Sequence, residues 1–143
     1  MIQRMTQRTK VASAQGRKKK ADIEKADLTH RQDLSIAVMN LISLEEHLAF
    51  TAMKTKRKHY LEILAAVRKL RIKMLGELVH NREGELWCIS KHLLAATMRL
   101  MEVATKYIGK SNDTAYEFER AAFDLYGLFW LLQSLDEKVS SEV

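Results

Sequence analysis

Residues 34–53 read LSIAVMNLISLEEHLAFTAM. Leu34, Val38, Leu41, Leu48 and Ala52 recur in it at steps of three, four and seven, which sets them on one face of an α-helix. A half-buried strand would alternate apolar and polar residues instead. Three more segments downstream carry the same period. The second, about 59–80, aligns Tyr60, Ile63, Leu64, Val67, Met74, Leu75 and Leu78. The third, about 85–108, aligns Leu86, Leu93, Leu94, Leu100, Met101 and Ala104. The fourth, about 113–138, aligns Phe118, Ala121, Ala122, Leu125, Phe129 and Leu132. Upstream, the first helix is expected to start near residue 28, where Thr29 and Gln32 have capping-box spacing, and to end near 53. Thr114 and Glu117 repeat that spacing at the fourth helix.

Helices of about 22–26 residues are roughly 35 Å long. Similar lengths with short connections favour antiparallel up-down-up-down packing, so the expected fold is an all-α four-helix bundle over 21–143. The composition agrees. There is no proline, only five glycines and 47% apolar residues in a chain of 143, which leaves little turn chemistry for β-hairpins. Gly109 is well placed to end the third helix in a left-handed conformation. No apolar run approaches the roughly 18–20 residues of a membrane span. The single cysteine, Cys88, cannot form an internal disulfide and suits a reducing compartment. With no apolar stretch of the secretory kind at the N-terminus, the expected location is cytoplasmic.

Charge is unevenly distributed. Residues 1–20 contain Arg4, Arg8, Lys10, Arg17, Lys18, Lys19 and Lys20 and no acid. The whole chain carries +6, so with those seven cations set aside the remainder is −1. The basic stretch has no apolar periodicity and is expected to be a disordered tail. A Lys/Arg arm neutralises phosphates and releases counterions, which points to sequence-independent binding of RNA or DNA. Having no aromatic residue, the tail cannot stack on bases. An anionic membrane surface, a targeting segment or a protein-docking arm are other uses of such a composition.

In the expected topology, Lys54, Lys56, Arg57, Lys58, Lys106 and Lys110 gather at one end of the bundle. Asp22, Glu24, Asp27, Glu77, Glu83, Glu85, Asp136 and Glu137 gather at the other. Cations closing helix C-termini and acids opening N-termini account for part of this polarity. The basic end, with the tail, forms the candidate nucleic-acid surface.

Apolar residues are left over once the four faces meet. The back of the fourth helix carries Phe123, Tyr126, Trp130 and Leu131, and the first helix carries Ile36, Met39, Phe50 and Met53. Ile72 and Val79, with Ala65, form a weaker stripe on the second. Aromatic and Met stripes outside a core mark interfaces, so a homo-oligomer is expected. The plainer reading is that a displaced helix covers them.

Candidates for chemistry are few. Glu45 lies on the apolar face of the first helix and, across the hairpin, near Arg68 and Arg71. A buried carboxylate needs a partner, so a Glu45–Arg71 or Glu45–Arg68 pair is expected, structural rather than catalytic. Glu77 and His80 have the spacing found twice in di-iron bundles but occur once here. With Cys88 and His92 on the facing helix they form a candidate mixed-ligand metal site. None of the five histidines follows an arginine at the spacing of small helical RNases, and no Gly-rich phosphate loop is present. The functional expectation is a non-enzymatic oligomeric bundle, without cofactor, that binds nucleic acid through its tail and basic pole. A protein–protein adaptor or structural homo-oligomer is the first alternative, with a possible protein partner. A metal-binding bundle is the second.

Overall fold

The computed structural model describes residues 2–142, with side chains described over 15–142. It contains four helices: α1 (Ile2–Thr55), α2 (His59–Leu78), α3 (Glu85–Thr105) and α4 (Asn112–Ser141). The fold is an all-α four-helix bundle. The chain divides between Asp33 and Leu34 into two compact units.

The N-terminal unit consists of the first part of α1. The expected start of this helix near residue 28 is therefore corrected: helix begins at Ile2 and takes in the stretch expected to be a disordered tail. Ala, Lys, Arg, Gln and Glu are good helix formers, there is no proline, and Gly16 is the one weak position between residues 2 and 33. Apolar periodicity reports a buried face, not helicity, and every described side chain from Gln15 to His30 is exposed. Thr29 does not cap. It sits inside the helix and its Oγ1 donates to the Lys25 carbonyl at 2.9 Å.

In the second unit, cross-helix contacts fix the antiparallel order. Ser90 meets Gln133, and further along the same hairpin Tyr107 stacks on Phe118 with ring centroids 5.8 Å apart. Glu45 meets Arg71 across α1 and α2, Ser35 meets Tyr126 across α1 and α4, and Glu46 meets Arg99 across α1 and α3. The core brings Val38 and Met39 of α1 against Leu75, Leu78 and Val79 at the end of α2, Leu94 of α3 and Phe129 of α4. Each of these large side chains contributes roughly 1.5–3 kcal/mol by burial. Leu34, Leu86, Trp87, Leu93 and Trp130 pack around them.

Two residues placed on outer stripes are in fact core. Met39 is 3% exposed and Val79, which caps α2 in an extended conformation, is 0% exposed. Conversely, Ile63 and Met101, placed on inward faces, are 46% and 40% exposed. Up to residue 70, α2 leaves Leu61, Ile63 and Leu70 in solvent, so burial in this helix is concentrated at its C-terminal turns.

The N-cap of α4 is Ser111, whose Oγ accepts from the Thr114 amide at 3.4 Å and lies 2.8 Å from Thr114 Oγ1. The expected Thr114 cap thus moves three residues upstream. Gly109 takes the expected left-handed conformation, with φ +78°, but in the connection rather than at the end of α3, which stops at Thr105 with Lys106 as its cap; the Gly109 amide donates to Asn112 Oδ1 at 3.0 Å.

Candidate nucleic-acid interface and apolar surfaces

The basic segment is presented on a helix. Arg17, Lys18, Lys19 and Lys20 are all exposed. Successive residues turn by about 100°, so these four cations surround the helix rather than forming a stripe. Glu24 lies 3.9 Å from Lys20 Nζ with both side chains exposed, a pair worth a few tenths of a kcal/mol. Arg4, Arg8 and Lys10 lie outside the residues whose side chains are described.

A second set of cations sits where α1 turns into α2. Lys54, Lys56, Arg57 and Lys58 are exposed, and the turn is made by Lys56 at φ +57°. The left-handed conformation costs a residue with a Cβ on the order of 1 kcal/mol. The following backbone is held by the Arg57 amide donating to Thr55 Oγ1 at 3.4 Å and by the Lys58 carbonyl accepting from Leu61 at 2.9 Å. Beside this turn a groove of about 180 Å³ runs between α1 and α3, lined by Glu46, His47, Phe50, Thr51, Lys54 and Arg99. Arg99 Nε is 3.5 Å from Glu46 Oε2 in the half-exposed wall. Lys106 and Lys110 are exposed at the α3–α4 connection.

The buried ion pair is two-pronged. Arg71 donates from Nε to Glu45 Oε1 at 2.8 Å and from Nη2 to Oε2 at 3.1 Å. The Arg71 side chain is 2% exposed and that of Glu45 13%. Arg68 Nη1 stands 3.9 Å from the same carboxylate, 57% exposed. Both arginines weighed from the sequence therefore face Glu45, but Arg71 carries the short bonds. The geometry is that of a clamp between α1 and α2.

The sequence reading missed four buried polar positions, Ser35, Ser90, Thr97 and Gln133. Ser35 Oγ is 2.6 Å from Tyr126 Oη, Gln133 Nε2 donates to Ser90 Oγ at 2.8 Å, and Thr97 Oγ1 donates to the Leu93 carbonyl at 2.8 Å. All of Ser35, Ser90, Thr97 and Gln133 are nearly or fully buried. Short hydroxyl residues on an apolar face were the available signal, since each needs a partner when buried.

The metal alternative is corrected. Among the described residues no group of three or more His, Cys, Asp or Glu side chains is placed to hold an ion. Glu77, His80, Cys88 and His92 are each exposed, and α2 ends at Leu78, so His80 lies beyond the helix on which the spacing argument depended.

The apolar stripes are partly absorbed. Tyr126 and Trp130 pack against the core, edge-on to one another at 5.9 Å, so the stripe on α4 loses its middle. Phe123 at 74% and Leu131 at 54% remain in solvent, as do Ile36 at 49%, Phe50 at 58% and Met53 at 66%. Tyr116 at 67% and Leu128 at 49% join them on α4. Tyr116 lies seven residues, about two helical turns, before Phe123, a spacing visible in the sequence. An apolar groove of about 250 Å³ opens between α1, α3 and α4, walled by Ile36, Met39, Met98, Met101, Ala122 and Phe123.

Compared with known proteins, the chain matches no family model, no curated protein and no solved structure. No helix among the described residues is long and apolar enough to cross a membrane.

Proposed function

We propose that this protein is a non-enzymatic, oligomeric helical bundle of the cytoplasm that binds nucleic acid through its basic N-terminal segment, with the Lys54–Lys58 turn as a second contact. The observation that carries the reading is the charge layout. Seven cations and no acid occupy residues 1–20, while the rest of the chain is close to neutral. The exposure of Arg17, Lys18, Lys19 and Lys20 supports it, because a phosphate backbone can approach them from any side of the helix. Binding of this kind is electrostatic and indifferent to sequence.

The test is fluorescence anisotropy of labelled duplex DNA and single-stranded RNA across a range of salt. The full chain is compared with a variant carrying R17Q, K18Q, K19Q and K20Q. On duplex DNA, log K should fall linearly with log salt, and the variant should lower that slope by about 3.6, at 0.9 per phosphate contact. A slope unchanged by the four substitutions, or no binding at low salt, refutes the reading. In the second case the exposed Phe50, Met53, Phe123 and Leu131 favour the adaptor, whose partner is a protein.

A further inference from the structure

We infer that the outer face of α4 is the self-association surface, and that it pairs antiparallel with α4 of a second copy about a two-fold axis near Ala122. This deepens the proposed oligomeric character and rests on it. Shape and charge on this face lead to the same register, and its exposed apolar area supports burial there.

The first is shape. A depression of about 470 Å³ lies on α4 itself, between Tyr116, Glu119, Arg120, Phe123 and Asp124. One of its walls is Phe123, the most exposed large apolar residue on the helix at 74%. A two-fold near Ala122 lets each Phe123 enter the depression of the other copy. One turn on, Gly127 faces open space, with nothing within 4 Å of where a Cβ would lie. Glycine within a helix is less stable than alanine by roughly 0.5–1 kcal/mol, and its missing side chain leaves room on this face. In this register Tyr116 of the second copy is level with Leu128, and its ring lies over the gap at Gly127.

The second is charge. Arg120 and Asp124 are both exposed on this face. About the same axis, Arg120 of each copy is level with Asp124 of the other, which gives two equivalent opposite-charge contacts. A two-fold interface must be self-complementary in this way, since the same patch serves both sides. A parallel pairing would instead align Arg120 with Arg120.

The third is area. Phe123 and Tyr116, 74% and 67% exposed, offer roughly 280 Å² at about 200 Å² per aromatic residue. Leu128 and Leu131, each about half exposed, extend the patch toward the ~800 Å² per partner of a standard interface. Small knobs seated in the holes of a facing helix are the packing of coiled coils.

Sedimentation equilibrium on the full chain tests this. Wild type should be an oligomer. R120E should lower its mass, and D124R should do the same. R120E with D124R together should restore it, because the reversed charges again face each other across the axis. Both positions of the cycle are on the surface, and circular dichroism checks that helicity is kept. If wild type is oligomeric and neither single variant changes its mass, the protein associates through another face and the α4 inference is overturned while self-association stands. If wild type is a monomer at 100-fold the concentration used for binding, both fail. If the singles dissociate and the double variant does not recover, the antiparallel register is wrong.

Discussion

Removing the Glu45 carboxylate should be among the most damaging polar substitutions in this protein. Arg71 is 2% exposed and receives its two short contacts, at 2.8 and 3.1 Å, from Glu45 alone. In Glu45→Ala the guanidinium stays buried without a counter-charge, a state that costs about 3–5 kcal/mol. Glu45 itself is 13% exposed, so water reaches the vacated space and the lower end, about 3 kcal/mol, is expected. For a chain of this size that is a fall in Tm of about 10 °C. Arg71→Met keeps the aliphatic stem and leaves a carboxylate with Arg68 3.9 Å away, so it should cost about half as much. The double variant Glu45→Leu with Arg71→Met removes both charges and should return to within about 1 kcal/mol of wild type. Arg68→Ala, at an exposed partner, should stay within about 0.5 kcal/mol. Urea unfolding followed by circular dichroism, at one fixed protein concentration, measures the whole set. A Glu45→Ala loss below about 1 kcal/mol would show that Arg71 reaches solvent, and the clamp argument would be wrong. A double variant as unstable as Glu45→Ala would show that the charges, and not the burial of one alone, hold α1 to α2.

Other expectations follow from single contacts. Phe129→Ala empties the centre of the core, where Phe129 is 0% exposed, and should cost about 3–5 kcal/mol in the same urea experiment. Ser111→Ala removes the cap of α4 and should cost about 1 kcal/mol, with Ser111→Asp recovering most of it. At Gly76, an added methyl would meet the guanidinium end of Arg82, a flexible group that can swing out. Gly76→Ala should therefore raise stability by up to about 1 kcal/mol through helix propensity, and a loss of that size would mean that Arg82 is fixed in place.

The bundle was legible because its signal is burial. In α1, Val38, Leu48 and Ala52 are buried where a 3.6-residue period puts them, and in α4 so are Ala122 and Phe129. The same signal is silent for the first part of α1. An exposed helix has no apolar face, so residues 1–20 read as a tail and the helix was started near 28, although the propensities upstream are helical. Met39 and Val79 were misplaced for a different reason. A single helical wheel cannot tell which flank of a stripe a third helix will cover, and the end of α2 is closed around by all three neighbours, which buries both sides.

The candidate surfaces show the limit more sharply. Glu45 with its arginines could be read because a charge on an apolar face demands an answer, and few residues lie within reach to supply it. The metal set could be proposed from spacing, but spacing assumes that the helix continues, and α2 stops at Leu78. What the wheel could not weigh on α4 was which aromatics turn inward. Tyr126 finds Ser35 and Trp130 finds Phe129, so both are held by α1 and the core, whereas Phe123, three residues before Tyr126, is left 74% exposed. Within one stripe, then, position around the helix separates core from surface: Tyr126 and Trp130 lie on the flank nearer Phe129 and α1, and Phe123 lies on the flank that no other helix of the chain covers.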